Sequence, residues 1–408
     1  MNKMEQIMKL SNKRIRHLIY VLSLITLTNP LFAELLNGKS KDTEVIKVKD
    51  IIIYKDAQFY ASFPSVIKNE DGELIVAFRR APDRKVFQES GTSHVDPNSY
   101  LVYVRSRDNG MTWSKEPELL YAHPYGGSQD PCLLKLSDGT ILCTSYGWAF
   151  VREQGLQNLK QPVFGNKEGS VFLGGYVLRS TDNGESWNGP YYPISIPPEV
   201  KLTALGNPLP AYNRGSLWEG KDGRIFWVVA AGNDKENIRK TANYLIISED
   251  KGLTWKYSCP VAEDEKAAFN ETSVYETPGG DLVAFLRTAG LDDQACIARS
   301  TDGGKSFRPW QKMGFQGHPL QALRLPDNRV FLVYGYRHEP YGIRARILNA
   351  ECTDYETAEE IIIRTDGGSG DIGYPWAVML DQNRVLVTYY FNINNGTRHI
   401  AGSILEIN

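Results

Sequence analysis

The sequence predicts an all-β protein whose strands form six similar blades in a ring, a six-bladed β-propeller. Two repeated patterns carry this prediction. An octapeptide, S-x-D-x-G-x-[ST]-[WF], occurs four times, at 106–113, 180–187, 248–255 and 300–307. A tight-turned hairpin occurs six times, with its turn at residues 72, 139, 223, 280, 328 and 383. The intervals between these turns run from 48 residues (280 to 328) to 84 residues (139 to 223), which suits four-stranded blades joined by variable loops.

The octapeptide has the composition of a hairpin tip. Each copy follows an apolar run with strand character, such as residues 100–104 before the first copy. In that copy we expect Asp108 to accept hydrogen bonds from backbone N–H groups, Gly110 to adopt a positive φ and Trp113 to pack beneath the turn. The matching residues of the other three copies are predicted to do the same. A further outer hairpin is expected near 353–355, where the octapeptide is absent.

The six hairpins each join an alternating strand to an apolar strand, as 63–67 is joined to 74–76 through Asp71-Gly72. Six hairpins imply six blades. We expect the last blade to close the ring by pairing 51–53 with the C-terminal run 400–407, because closure removes exposed sheet edges. The insertion at about 154–169 is predicted to be a surface loop.

The N-terminus has the pattern of a secretory signal peptide. An apolar run at 18–27 follows four basic residues, Lys9, Lys13, Arg14 and Arg16. We therefore expect a signal peptide at 1–33, a linker at 34–49 and a single propeller at 50–408. The mature protein is predicted to be exported, periplasmic or secreted, with no membrane span, because the apolar run is short and no second one follows.

The overall charge points to no polyanionic partner. A formal net charge of −2 over 408 residues gives no electrostatic reason to expect nucleic acid or an anionic membrane. The five cysteines, at 132, 143, 259, 296 and 352, have no zinc-site spacing, and we expect no cofactor and no metal in the reaction, with a structural divalent ion left open. Cys132 and Cys143 flank a predicted turn, where buried thiols are favoured over a disulfide. We expect a monomer.

The octapeptide resembles the Asp-box, or BNR, repeat of the sialidase-like β-propellers, and the resemblance covers nearly the whole mature chain as architecture. In that family the Asp-boxes lie away from the mouth of the propeller, which the innermost strands line. The resemblance places the glutamate that activates the nucleophile at Glu271 and the second carboxylate-binding arginine at Arg287, because both stand at the family's spacing around Gly280. It places the nucleophilic tyrosine at Tyr374.

The sialidase pattern is incomplete in this chain. Ser62 stands where the family has its first carboxylate-binding arginine. The third arginine has no clean counterpart, and Arg337 or Arg344 is the substitute. Three arginines hold a carboxylate through paired, charge-assisted bonds, so the loss of one argues against a true sialidase.

Histidines beside the inner hairpins suggest a different reaction on an anionic sugar. Cations that neutralise a uronate make its C5 proton acidic, and a base and an acid then complete β-elimination across C4–C5. We assign the carboxylate to Arg287 and Arg337. We assign the base to His123 and the acid to Tyr212 or Tyr374. This set is similar in residue types to the propeller lyases of rhamnose–glucuronate or ulvan glycans.

The predicted site draws on five of the six inner hairpins and on the first blade. The predicted catalytic residues are His123, Tyr212, Arg287, His318 and Tyr374. The predicted substrate-binding residues are Arg79, Arg214, Glu271, Arg337 and His338. Arg214 and Asp130 fall at the blade position that Glu271 holds in its own repeat, and Arg79 begins a basic rim suited to an anionic glycan.

Three functions follow from these residues. The first is an exported lyase or dehydratase that eliminates across C4–C5 of a uronic acid in an anionic oligosaccharide. The second is an exo-acting glycosidase of the sialidase type, with Tyr374, Glu271 and an acid such as Asp83. The third is a propeller that binds glycans without turnover.

Overall fold

The computed structural model describes residues 44–89, 95–165 and 169–408, which form six antiparallel sheets. The predicted signal peptide at 1–33 lies outside the described residues. Strand β1 begins at Val45, earlier than the predicted start of the propeller at residue 50. Within these three described ranges, no helix is long and apolar enough to cross a membrane.

The first three blades follow one another along the chain. Blade 1 consists of β2 (Phe59–Lys68), β3 (Leu74–Pro82), β4 (Tyr100–Ser106) and β5 (Glu118–Tyr121). Blade 2 consists of β6 (Gly126–Ser128), β7 (Cys132–Lys135), β8 (Ile141–Phe150), β9 (Ser170–Ser180) and β10 (Asn188–Tyr191). Blade 3 consists of β11 (Trp218–Glu219), β12 (Ile225–Ala231), β13 (Ala242–Ser248) and β14 (Lys256–Ala262). A 3₁₀ turn (Arg84–Phe87) and a one-turn helix α1 (Glu153–Leu156) are the helical segments described.

The last three blades repeat this order. Blade 4 consists of β15 (Ala268–Glu276), β16 (Leu282–Ala289), β17 (Gln294–Ser300) and β18 (Gln311–Gln316). Blade 5 consists of β19 (Leu320–Arg324), β20 (Val330–Tyr336), β21 (Gly342–Leu348) and β22 (Ile361–Arg364). Blade 6 consists of β23 (Gly373–Met379), β24 (Arg384–Phe391) and β25 (His399–Ile407), with β1 (Val45–Tyr54) as its fourth strand. The six-bladed propeller predicted from the sequence is confirmed.

The ring closes through both ends of the chain, as predicted. Strand β1 pairs with β25, so the first strand completes the last blade. The first and last blades also share a core, because the ring of Phe63 lies 4.7 Å from that of Tyr374 and 5.2 Å from that of Tyr390 between centroids. In this arrangement β1 covers the edge of β25 that another chain could otherwise pair with.

The four octapeptides form the tips of the outer hairpins, between the last two strands of blades 1 to 4. In the second copy, Asp182 accepts hydrogen bonds from Ser180 Oγ at 2.7 Å, from Ser186 N at 3.0 Å and from Ser186 Oγ at 2.5 Å. Gly184 has a φ of +83°, where a side chain would be strained. The same bonds recur around Asp108, Asp250 and Asp302. The hydrogen bonds to the aspartate and the positive φ of the glycine that the octapeptide predicts are therefore confirmed.

The five cysteines are all buried free thiols, so the favoured interpretation over a Cys132–Cys143 disulfide is confirmed. Burial raises their thiol pKa values, to about 11 for Cys132. Among the described residues, no group of three or more His, Cys, Asp or Glu side chains is arranged to hold a metal ion.

Candidate functional site

The innermost strands of blades 1, 4 and 6 each contain a β-bulge at the same place. The pairing register shifts between Ser62 and Ser65 in β2, between Phe269 and Thr272 in β15, and between Gly373 and Trp376 in β23. A bulge re-aims the side chains of the residues it contains. Glu271 and Tyr374 lie inside two of these bulges, which is how the strands turn them toward each other.

Backbone geometry fixes Tyr374 further. Its φ is +53°, a left-handed conformation that is unusual for a bulky residue. Phe63 in β2 has a φ of +56°, and each of the two residues is followed by a proline. Such conformations persist where the surrounding structure holds them, and they concentrate at functional sites.

The charged residues of blades 3 and 4 are positioned by asparagines. Asn213 Oδ1 accepts the backbone N–H of Arg214 at 2.9 Å, and Asn270 Oδ1 accepts that of Glu271 at 2.8 Å. Asn213 Nδ2 also donates to the Asn270 carbonyl at 3.1 Å, which joins the two blades. The predicted equivalence of Arg214 and Glu271 within their blades therefore has a structural basis.

Three side chains form the centre of the site. The Tyr374 hydroxyl donates to Glu271 Oε1 at 2.6 Å and accepts from Arg287 Nη1 at 2.9 Å. Arg287 Nη1 also forms a close ion pair with Glu271 Oε2. The tyrosine oxygen thus stands between a carboxylate that can take its proton and a guanidinium that can stabilise its negative charge.

The pKa values at this centre reflect that arrangement. Burial alone would raise the pKa of Glu271, but the Arg287 charge and the Tyr374 hydrogen bond outweigh it and hold the pKa below its ordinary value. Burial, followed by the negative charge of Glu271, raises the pKa of Tyr374. At neutral pH the pair is therefore a carboxylate and a phenol, the resting state of a base and a nucleophile.

Arg337 completes a cationic side of the site. Its Nε donates to the Ile372 carbonyl at 3.0 Å and its Nη2 to the Tyr390 hydroxyl at 3.0 Å. Its guanidinium lies 5.1 Å from the Tyr374 ring centroid, and that of Arg287 lies 6.0 Å away. Arg337 Nη1 and Arg287 Nη2 donate to no other described residue, so both are free for an anionic ligand.

Arg214 lies beneath the tyrosine. The residue is 0% exposed, and its Nη2 donates to the carbonyls of Pro64 at 3.1 Å and Tyr374 at 3.3 Å. The guanidinium stacks against Tyr374, 4.7 Å from the ring centroid. Nε and Nη1 find no acceptor in the described part of the chain, an unusual state for a buried cation.

Asp130 adds a carboxyl in the loop between β6 and β7. The residue is 1% exposed, and its Oδ2 accepts the Tyr146 hydroxyl at 2.9 Å. Burial, followed by the nearby charge of Glu271, raises its pKa to about 7. Asp130 therefore keeps its proton almost to neutrality, in contrast to Glu271.

A cavity of about 150 Å³ opens beside Glu271 and Arg214. Its walls are aromatic: Tyr146, Trp148, Phe164, Phe172 and Tyr212. Four of these five rings were not predicted as site residues. The alternation of aromatic residues at 146, 148 and 150 was the available signal, because side chains two apart on a strand share a face.

The predicted catalytic residue Tyr212 is part of this wall. Its hydroxyl accepts a hydrogen bond from Lys201 Nζ at 2.9 Å, and Lys201 is itself 1% exposed and 3.6 Å from Glu199. Burial raises the pKa of Tyr212, although Lys201 opposes that shift. Tyr212 and Glu271 both line this cavity. Tyr212 is not among the described residues that contact the Tyr374 hydroxyl.

His318 and His338 meet at Asp293, in the loop after β16. His318 Nδ1 lies 3.4 Å from Asp293 Oδ1, and His338 Nε2 lies 3.2 Å from Oδ2. Burial, followed by the charges of Arg287 and Arg337, lowers the pKa of His318 to about 2. His318 is thus a neutral imidazole beside the two arginines.

The structure does not bring His123, the predicted base, to this site. A turn at 123–126 folds its ring into blade 2, 5.8 Å from the Tyr176 centroid and 5.9 Å from that of Tyr125. Burial lowers its pKa to about 4. No contact of His123 with Glu271 or Tyr374 occurs in the described ranges, because the loop returns to the aromatic cluster instead of the central strands.

The predicted basic rim of the first blade does not include Arg79 in the structure. Arg79 is 0% exposed and stands opposite Ser62 in the β2–β3 pairing. Its three guanidinium nitrogens reach no acceptor among the described residues, and burial lowers its pKa. Arg80 stacks 3.5 Å from the Phe59 centroid, and Arg84 pairs with Asp96 at 2.7 Å. Asp83 caps the 3₁₀ turn that follows, accepting from Lys85 N at 3.1 Å.

Six antiparallel blades in a closed ring, Asp-box tips and a tyrosine–glutamate–arginine centre define a sialidase-like BNR β-propeller. Residues 157–387 match the family of BNR repeat-like domains, and the chain belongs to that family. No curated protein matches the sequence.

Solved structures extend the comparison. A crystal structure of a protein of unknown function from Dyadobacter fermentans is 70% identical, with a TM-score of 0.87 over 89% of this chain and 99% of that one. A Hadza microbial sialidase is 18% identical, with a TM-score of 0.59 over 85% of this chain and 65% of that one. An α-L-arabinanase from Penicillium chrysogenum, complexed with arabinobiose, is 13% identical, with a TM-score of 0.60 over 88% and 98%. The sialidase and the arabinanase share the fold of this chain.

Proposed function

We propose that this protein is a carbohydrate-active enzyme that hydrolyses the glycosidic bond of a terminal, carboxylate-bearing sugar. The contact set of Tyr374 carries the proposal, since its hydroxyl donates to Glu271 and accepts from Arg287. A phenol hydrogen-bonded to a buried carboxylate is an activated nucleophile. The names of the sialidase and the arabinanase that share this fold are those of carbohydrate-cleaving enzymes, which agrees with this class.

The reaction would proceed in two displacements. The Tyr374 oxygen forms a bond to the anomeric carbon while its proton passes to Glu271, and the bond to the leaving oxygen breaks as that oxygen is protonated. Water then attacks the same carbon and gives a proton to the group that protonated the leaving oxygen, while Glu271 returns its proton to the Tyr374 oxygen as the bond between Tyr374 and the sugar breaks. Arg287 stabilises the phenolate character of the attacking oxygen.

The arginines specify where the carboxylate of the sugar lies. Arg287 contacts the Tyr374 oxygen through Nη1. Its Nη2 is the other terminal nitrogen of the same guanidinium and therefore lies close to the nucleophile. A carboxylate held there and at Arg337 Nη1 is next to the carbon under attack. A sugar with its carboxylate on or beside the anomeric carbon fits this arrangement, because paired N–H donors bind a planar anion best.

β-Elimination on a uronate is the second candidate, and His318 is the observation that favours it. This neutral imidazole is close enough to Arg287 and Arg337 for their charges to lower its pKa. A carboxylate bound by the two arginines offsets their charges and makes the imidazole more basic, so that it can take the proton from the neighbouring carbon. In this version His318 has the role first assigned to His123, and Tyr374 is the acid.

A substrate panel tests these functions with four variants, which are Tyr374→Phe, Glu271→Gln, His318→Gln and a matched control. The probes are fluorogenic glycosides of N-acetylneuraminate, deaminated neuraminate, glucuronate and galacturonate, together with uronate oligosaccharides followed by the ultraviolet absorbance of the unsaturated product. For hydrolysis we expect Tyr374→Phe to abolish release of the fluorophore and Glu271→Gln to slow it by roughly 100- to 10,000-fold.

Tyr103→Phe is the matched control, because Tyr103 is also buried and its hydroxyl donates to Glu118 at 2.9 Å, in blade 1. It should leave turnover unchanged. Fluorophore release that survives Tyr374→Phe would rule out the tyrosine nucleophile. An unsaturated product that depends on His318 would select elimination, and binding without any product would select a glycan-binding propeller.

A further inference from the structure

The aromatic cavity beside Glu271 has a composition that the reaction at Tyr374 does not explain. The rings of its walls pack on one another, with centroids 4.5 Å apart for Phe172 and Tyr212 and 4.9 Å apart for Trp148 and Phe172. Phe164 joins them at 5.7 Å from Trp148. Of the five rings, only Phe172 is fully buried, so the others present aromatic surface to the cavity.

Two cationic side chains, the buried Lys201 and the exposed Arg239, lie against rings of this wall. Lys201 Nζ lies 5.3 Å from the Tyr212 centroid and 5.8 Å from that of Phe164, and it donates to the Tyr212 hydroxyl. Arg239 covers Phe164 at 5.5 Å. Cations over ring faces fix the rings from behind, and fixed rings bind a ligand with little further loss of entropy.

The edge of the cavity carries unused hydrogen-bond donors. Arg214 is fully buried and lines the cavity, yet its Nε and Nη1 donate to no described residue. Trp148 Nε1 has no acceptor in the described ranges either. Asn270 also lines the cavity, and its Nδ2 donates to nothing described. Buried donors in native proteins are satisfied by a partner, which here would be a ligand.

We infer that this cavity is a subsite for a neutral pyranose ring, the sugar on the leaving-group side of the bond cleaved at Tyr374, and this assignment rests on the proposed hydrolytic function. A pyranose with equatorial hydroxyls has an apolar face of axial C–H groups and a polar edge. The face matches the negative faces of the aromatic rings, and the edge matches the donors of Arg214, Trp148 and Asn270.

The size and position of the cavity agree with a single ring. Its volume of about 150 Å³ is below the roughly 300 Å³ at which pockets begin to hold drug-sized ligands, which limits the occupant to a single ring. Glu271 lies both in the cavity wall and in the Tyr374 contact set. A ring in the cavity is therefore directly beside the reacting centre.

Neutral probes test this subsite apart from the chemistry. Methyl β-D-glucopyranoside and methyl β-D-galactopyranoside are titrated against the full chain, with binding followed by saturation-transfer NMR. We expect transfer strongest at the axial protons of one face. Trp148→Ala should weaken binding about tenfold, as the loss of one stacked ring does. Phe164→Ala is the second variant, for use if Trp148→Ala perturbs folding, because Phe164 lies on a loop. It should also weaken binding of the probes.

Trp310→Ala is the matched control, because Trp310 is half-buried and packs on Phe269 at 5.2 Å outside this cavity. It should leave probe binding unchanged. The inference is overturned if neither probe shows transfer, if Trp148→Ala and Phe164→Ala bind as the parent does, or if Trp310→Ala weakens binding equally. Because the probes carry no carboxylate and are not cleaved, these results are independent of the Tyr374→Phe outcome.

Discussion

Asp130 and Glu271 are two buried carboxyls at matching blade positions with opposite protonation behaviour. Glu271 has Arg287 in direct contact and stays ionised, whereas Asp130 accepts only a neutral hydroxyl from Tyr146. For Asp130 the cost of burying a charge dominates, and its pKa rises to about 7. Direct ion pairing, more than burial, therefore sets the charge of each residue at this site.

Asp130→Asn is predicted to change how stability depends on pH. A carboxyl whose pKa is about 7 in the folded protein and 3.8 ordinarily contributes stability below pH 4 that is lost as the pH rises to 7. Asparagine removes this loss, so the variant should gain stability relative to the parent as the pH rises from 4 to 7, by on the order of 4 kcal/mol. The free energy of urea unfolding measured across that range gives the difference.

Asp138→Asn provides a control of opposite sign. Hydrogen bonding to Lys251 lowers the pKa of Asp138 to about 2, so its contribution is present above pH 4 and lost in acid. That variant should lose stability relative to the parent as the pH rises from 2 to 5. A parallel pH profile for the two variants would contradict the assignment of Asp130.

At the scale of the element, the hairpin tip is a local structure, and this is why the sequence predicts it well. The hydrogen bonds that Asp182 accepts in the tip at 180–187 come from residues within it, Ser180 and Ser186. No comparable local sequence pattern predicts the bulges at Glu271 and Tyr374. They depend on pairing with the neighbouring strands and on packing of Phe63 against blade 6, which a single strand does not reveal.

Asp182→Ala is predicted to destabilise the fold and spare the chemistry. The substitution removes one backbone and two hydroxyl hydrogen bonds at an exposed tip, so we expect a loss of about 1 kcal/mol in the free energy of unfolding. Turnover per folded molecule should not change. Asp234→Ala is the control, because Asp234 accepts a single bond, from Glu236 N at 2.8 Å. An equal loss of unfolding free energy for the two variants would mean that the hydrogen bonds of the octapeptide do not stabilise the fold more than a single surface bond does.

At the scale of the whole molecule, the spacing of six turns was enough to predict the ring and its closure. The pocket was harder, because residues far apart in sequence meet there through the loops. The resemblance to the sialidase-like propellers indicated Arg287 and Tyr374, which the structure brings into contact with each other. Proximity to an inner hairpin misplaced His123, since its loop turns into blade 2, and the basic pattern of the first blade misplaced Arg79, since the strand buries its guanidinium.

The closing strand gives a test of the ring itself. Ile52 and Ile53 are neighbours in β1 that face opposite sides of blade 6, with exposures of 59% and 5%. Ile53 packs in the core that includes Phe63 of blade 1 and Tyr390 of blade 6. Ile53→Ala should therefore cost about 2–4 kcal/mol of the free energy of unfolding, whereas Ile52→Ala should change it by less than about 0.5 kcal/mol. Chemical denaturation followed by tryptophan fluorescence measures both, and comparable losses would mean that β1 does not close the ring in this register.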